Sequence, residues 1–261
     1  MKKHPKIIAI FISYYAEKTL EKFYQNFPKK MFDEIILVDD ASKDKTYELS
    51  KKLGITSYKN PKNLGYGGNM KRALAIAIKM GADVIVDIHP DGEYGTEAIP
   101  KALKKTALGY EFVLGNRFYN ITAPLKNGMF IWKFYPILLL NVFTKIVLGL
   151  NITDYHQGFR VYTRKMLENI NFEKNSNNFL FSYEILVQSA FNNIKIGEVP
   201  VKVNYEGEKR GATLKSSVLY FLDVFKTTYR YYLAKTGITV DETFRTPKIT
   251  LDKRVKNLLS N

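Results

Sequence analysis

The sequence predicts an α/β fold: a mostly parallel central sheet flanked by helices, with amphipathic helices towards the C-terminus. Up to about residue 120, short apolar runs alternate with amphipathic stretches, the pattern of strand–helix units wound around a parallel sheet. Polar, glycine-bearing segments follow the apolar runs, at the sheet edge where open α/β proteins bind ligands. A length of 261 residues suits one large unit with additions better than two independent ones.

The first strand is expected over 6–13. Its apolar run is too short for the apolar region of a signal peptide followed by a small-residue cleavage site. Further strands are expected near 34–39, 83–88 and 111–115, with helices over 17–26, 44–53 and 66–80 between them. Ser42-Lys43-Asp44 opens the second helix and Gly81 closes the third. The stretch 129–150 is strongly apolar, but Lys133, Pro136, Asn141 and Lys145 interrupt it. That argues against a membrane span and for an interfacial or buried helix pair, with Trp132, Phe134 and Tyr135 at headgroup level; a plain core helix would show the same apolar pattern. A second amphipathic stretch covers 214–234, and the polar segment beyond Gly237 is expected to fray.

With 40 Lys and Arg against 25 Asp and Glu, the net charge is +15, which favours an anionic partner such as a phosphorylated substrate or an anionic membrane surface. A nucleic-acid partner is not expected, because the lysines are spread along the chain rather than gathered in a basic stripe. No cysteine is present, which excludes disulfides and thiolate-bound metals and fits a cytoplasmic setting.

Three segments carry chemistry. Asp39 and Asp40 end the second strand and can accept hydrogen bonds from a base or from ribose hydroxyls; the following Ser42 and Asp44 would serve an ordinary helix cap equally well. Residues 63–68 form a glycine-rich loop leading into a helix with Lys71 and Arg72 in its first turns. Backbone N–H groups around Gly68, together with Lys71, are expected to approach phosphate, although no Walker sequence follows. His89, Asp91 and Glu93 alternate after the third predicted strand, so all three fall on one face of an extended segment and could converge on a divalent metal, Mg²⁺ or Mn²⁺. An ordinary polar turn is the plainer alternative. Arg117 and Arg160 could grip phosphate in a bidentate fork. A dinucleotide-dependent oxidoreductase is not expected, since no G-x-G-x-x-G follows the first strand.

In order and content these segments resemble the family-two inverting glycosyltransferases of GT-A fold, over about residues 6–205. Within them they are similar to the branch that holds dolichyl-phosphate mannose synthase and the polyprenyl-phosphate sugar transferases. The family's Val-Asp-Asp-x-Ser-x-Asp segment is matched in full over 38–44 and its Asn-x-Gly-x-Gly segment over 63–67. Its opening Pro-x-Tyr-Asn-Glu survives only as Tyr15 and Glu17, and its Asp-x-Asp-Gly-Gln becomes His89-Pro90-Asp91-Gly92-Glu93. Asp154, Gly158, Phe159 and Arg160 keep the spacing of Asp-x-x-x-Gly-Phe-Arg, Asn116-Arg117 stands for Ser-Arg, and Glu184, Gly197, Glu198 and Pro200 match later positions.

The resemblance implies nucleotide contacts at Tyr15 and Glu17, an acceptor phosphate held by Arg117 and Arg160, and Asp154 beside the reacting centre. It implies a nucleotide-sugar donor, GDP- or UDP-linked, and a lipid-phosphate acceptor. The expected location is peripheral, at the cytoplasmic face of the membrane, with a membrane protein or a second copy of the chain as further partners. The rival readings are transfer to a sugar hydroxyl, with Asp154 as base, and a nucleotide-sugar binding module without turnover. The chain divides, on this reading, into a catalytic unit over 1–210, with 129–150 as an interfacial insertion, and an amphipathic helix with a polar tail over 211–261.

Overall fold

A computed structural model describes residues 4–205 and 214–260. Seven strands form one sheet: β1 (Ile7–Ser13), β2 (Glu34–Asp39), β3 (Thr56–Lys59), β4 (Val84–Asp87), β5 (Phe112–Asn116), β6 (Arg160–Thr163) and β7 (Ile196–Pro200). Their order is β3-β2-β1-β4-β6-β5-β7. All neighbours run parallel except β6, which is antiparallel to both β4 and β5. The expected mostly parallel α/β sheet is therefore the observed one.

Side-chain alternation on the strands divides the core in two. Ile8, Ile10 and Ile12 of β1 join one apolar cluster, with Ile36, Val38, Ile85 and Leu114. Ala9 and Phe11 join the other, with Leu37, Val86 and Val113. The helices α1 (Glu17–Gln25), α2 (Thr46–Lys52), α3 (Gly65–Lys79) and α4 (Ala98–Ala107) follow the first strands. The short α5 (Ala123–Lys126) and the long α6 (Ile131–Leu148) lie between β5 and β6, and α7 (Arg164–Glu168) and α8 (Phe181–Phe191) follow. The chain then forms α9 (Leu214–Lys235) and α10 (Leu251–Ser260). Leu20, Phe23, Ile99 and Ala102 place α1 and α4 on one face. Met70, Leu74, Leu186 and Val255 place α3, α8 and α10 on the other.

Two expectations need correction. The stretch 129–150 is not a helix pair but one continuous helix, α6, with Pro136 inside it. Pro136 falls early in the helix, so it removes a single i→i−4 hydrogen bond there without ending it, and Gly149, at φ +65°, closes the helix. By length and composition alone α6 could cross a membrane, so the interruptions do not disqualify it as expected. The segment beyond Gly237 does not fray. Phe244, Leu251 and Val255 are buried in the main core, and Arg254 donates to the carbonyls of Leu167 (2.8 Å) and Ile170 (2.7 Å) and to Glu173. A segment polar in composition packs because its few apolar residues stand one helical turn apart and Arg254 finds carbonyl partners.

Candidate active site

The carboxyl-end edge of β1, β2, β4 and β5 carries the predicted residues, and β6, running the other way, begins at that same edge. On the β1–β2 side the chain is wired tightly to itself. After β1, Tyr15 adopts φ +57°, and its N–H donates to Ser42 Oγ at 2.8 Å. Glu17 accepts from the Lys45 N–H at 3.1 Å, so both carried-over residues brace the 42–46 turn. The Tyr15 ring lies against that of Tyr14, centroids 4.4 Å apart.

Asp39 is fully buried and accepts from the Ser42 hydroxyl and backbone N–H. Burial pushes its carboxyl above the usual range against these hydrogen bonds and Lys59. Asp40 accepts from Asn60 Nδ2 (2.8 Å), the Leu64 N–H (2.8 Å) and the Gly65 N–H (3.0 Å). Its negative charge thus sits at the amino end of α3, where the free N–H groups and the helix dipole favour it.

The glycine-rich loop departs from expectation. The N–H groups of Gly67 and Gly68 donate to the Asn177 carbonyl, at 2.8 and 3.3 Å. Lys71 Nζ donates to the Asn175 carbonyl at 2.7 Å, and burial holds its pKa below the ordinary value. The two glycine N–H groups are thus spent on the chain, and Lys71 has committed one of its three donors. A Cβ on Gly67 would stand 2.2 Å from the Ser176 carbonyl oxygen, so glycine is required there for the approach of the 175–178 segment. Glu184 supports that segment in turn, accepting from the Ser176 N–H (2.6 Å) and hydroxyl (2.9 Å).

Between β4 and β6 the polar groups are less committed. The antiparallel register sets Asp87 opposite Arg160, and both are fully buried. Burial pushes the Asp87 carboxyl up to about 7, against the opposing pull of His89 and Arg160. Arg160 donates through Nε to the Gln157 carbonyl (3.2 Å) and through Nη1 to the Ser182 carbonyl (2.6 Å). Asp87 Oδ1, His89 Nε2, Arg160 Nη2 and both polar atoms of the Gln157 side chain are buried with no hydrogen-bond partner among the described residues. Each such atom costs about 1–3 kcal/mol unless water or a ligand satisfies it.

His89 Nε2 lies 3.7 Å from Asp87, and its ring meets Tyr66 edge-on at 5.7 Å. The imidazole thus turns back along the strand. Asp91 is exposed, and one of its oxygens accepts the Glu93 N–H at 2.9 Å. Burial, then the charge of Asp91, raises the Glu93 carboxyl. Among the described residues no three His, Asp or Glu side chains gather into a metal cage, so the expected three-ligand convergence of His89, Asp91 and Glu93 is not what the fold builds: the alternation that put them on one face held for a strand, and β4 ends at Asp87.

Further along the edge, Arg117 and Asp154 form a buried two-pronged pair. Nε and Nη2 of Arg117 donate to the two Asp154 oxygens at 2.7 and 2.9 Å, and the Arg117 backbone N–H adds a third bond at 3.1 Å. Burial alone would raise Asp154, but the guanidinium and these bonds hold it below the usual carboxylate range. Nη2 also donates to the His156 carbonyl at 2.7 Å, and Nη1 to Tyr205 Oη at 3.2 Å. Glu198 accepts from Asn116 Nδ2 and from the backbone and hydroxyl of Thr153, tying this loop to β5.

A family model, "Glycosyl transferase family 2", matches residues 9–170. The chain belongs to glycosyltransferase family 2. It is 28% identical over 257 residues to a UDP-N-acetylglucosamine–dolichyl-phosphate N-acetylglucosaminyltransferase of Methanococcus voltae, covering 90% of this chain and 99% of that one. It is 24% identical to a polyprenol monophosphomannose synthase of Mycolicibacterium smegmatis, over 64% of this chain and 65% of that one. In fold it is similar to the glucosyl-3-phosphoglycerate synthase of Mycobacterium tuberculosis, solved with Mn²⁺, UDP-glucose and phosphoglyceric acid. That likeness has a TM-score of 0.66 at 17% identity and covers 96% of this chain and 91% of that one.

For this glycosyltransferase, Asp91 fits a divalent cation. The carboxylate is exposed at the sheet edge with one oxygen uncommitted, and Mg²⁺ or Mn²⁺ is commonly held by one or two carboxylates together with substrate phosphates. Sequence reasoning missed three tyrosines. Tyr94 Oη accepts the Gly158 N–H at 2.8 Å, Tyr205 meets Arg117, and Tyr220 meets His156 Nδ1 at 2.8 Å. Tyr94 adjoins a recognised segment, but no spacing pointed to the other two.

Proposed function

We propose that the chain transfers a sugar, with inversion, from a UDP- or GDP-linked donor to a polyprenyl or dolichyl phosphate at the cytoplasmic face of a membrane. The observation that carries this reading is the outer face of α6 and α9, which is apolar and exposed on helices whose inner faces contact residues 155 and 156, next to Asp154. Tyr135, Leu139 and Val142 of α6 and Leu222 and Tyr229 of α9 are each more than half exposed, and Phe143 packs on Phe225 between the helices. They flank an open apolar groove of about 610 Å³, lined by Tyr135, Leu139, Val142 and Phe221 among others. Exposed lysines at 145 and 226 accompany the face, the composition of a surface that meets anionic lipid.

On this reading Arg160, with a buried unpartnered nitrogen, is the first donor for the acceptor phosphate. Arg117 shapes the loop, because most of its donors are already committed. Asp154, held ionised by Arg117, is a poor proton acceptor, which suits an acceptor that arrives as an anion. Asp91 would hold Mg²⁺ or Mn²⁺, whose contribution when bound is to neutralise charge on the departing diphosphate. Tyr14 and Tyr15 offer ring faces to the nucleotide base, while Asp39, Asp40, Gly68 and Lys71 keep the surrounding loops in place.

The test is release of nucleoside diphosphate from UDP-N-acetylglucosamine, other UDP-sugars and GDP-mannose, with and without Mn²⁺ or Mg²⁺, against a polyprenyl phosphate or simple sugars. Metal-dependent turnover with polyprenyl phosphate, lost in Asp91→Ala, is expected. Turnover with sugar hydroxyls alone would overturn the acceptor, and donor binding without turnover would overturn the activity.

A further inference from the structure

We propose that His156 is a positioning residue: it ties the two lipid-facing helices to the Arg117–Asp154 pair, so that docking of those helices on a bilayer sets the loop beside the acceptor. This rests on the lipid-phosphate reading above and adds a route by which the membrane acts on the site.

The route is a run of direct contacts. The His156 carbonyl accepts from Arg117 Nη2 at 2.7 Å. Its imidazole meets Tyr220 Oη of α9 through Nδ1 at 2.8 Å and Thr144 Oγ1 of α6 through Nε2 at 3.4 Å. The ring also stacks on Tyr183, centroids 5.3 Å apart and planes 27° apart, and Tyr183 Oη bonds to Thr228 of α9 at 2.6 Å. One residue earlier, the Tyr155 N–H donates to Asn141 Oδ1 of α6 at 2.9 Å. Both helices are therefore held to residues 155 and 156 by side chains on their inner faces.

The helical period puts the lipid-facing residues on the other side of the same helices. In α6, Asn141, Thr144 and Leu148 are buried while Tyr135, Leu139, Val142 and Ile146 are exposed. In α9, Val224, Thr228 and Tyr231 are buried while Leu222, Tyr229 and Tyr232 are exposed. A force on the outer faces reaches the loop through at most two side chains. Burial pushes the His156 pKa down to about 3, so the ring is neutral at working pH. A neutral imidazole has one donor and one acceptor nitrogen, which suits a bridge from the Tyr220 hydroxyl of α9 to α6, where the Leu140 backbone also hydrogen-bonds to the ring.

Trp132, the only tryptophan in the chain, stands at the start of α6 and 43% exposed, so its emission reports docking independently of activity. The experiment compares wild type, Tyr220→Phe, His156→Gln and the double variant. Trp132 emission is followed on addition of phosphatidylglycerol–phosphatidylcholine vesicles. Transfer is measured to polyprenyl phosphate in those vesicles and to a short isoprenoid phosphate in solution.

Wild type is expected to turn over faster on vesicles. Tyr220→Phe should show the same Trp132 shift and the same rate in solution, yet lose about tenfold of the vesicle rate in kcat, the scale of one hydrogen bond. The double variant should lose no more than His156→Gln alone, because the two side chains act through one contact. Tyr220→Phe keeping the wild-type vesicle rate, or losing both rates by one factor, overturns the inference. So does a wild type that transfers to polyprenyl phosphate in vesicles no faster than to the short isoprenoid phosphate in solution, an outcome that leaves the acceptor reading standing. A wild type that transfers nothing to polyprenyl phosphate removes the acceptor reading and the inference together.

Discussion

The two halves of the sheet's ligand-facing edge make opposite use of their polar groups. Where β2 runs into the start of α3, Asp39, Asp40, Gly67, Gly68 and Lys71 spend their hydrogen bonds on neighbouring loops. Between β4 and β6, Asp87, His89, Gln157 and Arg160 keep more buried polar atoms without a partner among the described residues than the other half does, where Ser13 Oγ, Asn60 Oδ1 and Arg72 Nε are left so. The segments over 38–44 and 63–67, which match the family in full, thus hold loops in place, whereas Arg160, in a segment that also keeps the family's spacing, retains an unpaired nitrogen. A strong motif marks a required geometry, which is not the same as a ligand contact.

The most damaging test of this contrast is Asp154→Asn. It removes the counter-charge from buried Arg117, which should cost about 3–5 kcal/mol in urea unfolding. It should also lower diphosphate release by roughly 100-fold through a displaced loop. Gly67→Ala comes next. Its methyl group would press on the Ser176 carbonyl and on Phe181, an overpacking cost of about 1–3 kcal/mol. Unchanged stability with lost donor affinity would instead mean that the glycine loop faces the ligand, and the contrast would fail.

Asp40→Ala uncaps α3 and should cost about 1–2 kcal/mol, seen as a lower denaturation midpoint. The remaining test concerns the other half of the edge. The Asp87 carboxyl titrates at about 7 in the folded chain against an ordinary 3.8, so between those values the folded state binds the extra proton. Stability then falls as pH rises through that window, by at most about 1.4 kcal/mol per pH unit. Asp87→Asn should flatten that part of the stability profile.

Much of this architecture was legible in the sequence. Strands β1, β2, β4 and β5 and helices α1 to α3 lie within two residues of the spans expected from apolar periodicity. The edge strand β3 was not, because Thr56–Lys59 is polar and half exposed and offers no apolar run to read. β6 escaped for a different reason. Arg160 begins it as a buried charge, and a four-residue strand opening on arginine reads as a loop. At the site, residue identity located Asp39, Asp40, Arg117 and Asp154 at one edge. It could not say that Arg117 and Asp154 hold each other, since that pairing depends on how the chain returns to the sheet after α6. The same limit applied to His156, whose partners stand on two helices, one before it and one after it in the chain.

That return has a kinetic side. Without β6 the sheet is two separate pieces, β3-β2-β1-β4 and β5-β7, each with an open edge where β6 should lie. The strand that joins them is reached only after the excursion through α6, and its contacts, like those of β5 with β7, are distant in sequence, which slows their formation. Until they do, two unpaired strand edges and the apolar helix are exposed together, the combination that makes a folding intermediate prone to associate. The arrangement that brings Arg160 to Asp87 therefore also closes two open sheet edges, and substitutions that weaken the pairing of residues 160–163 are expected to lower the yield of soluble protein.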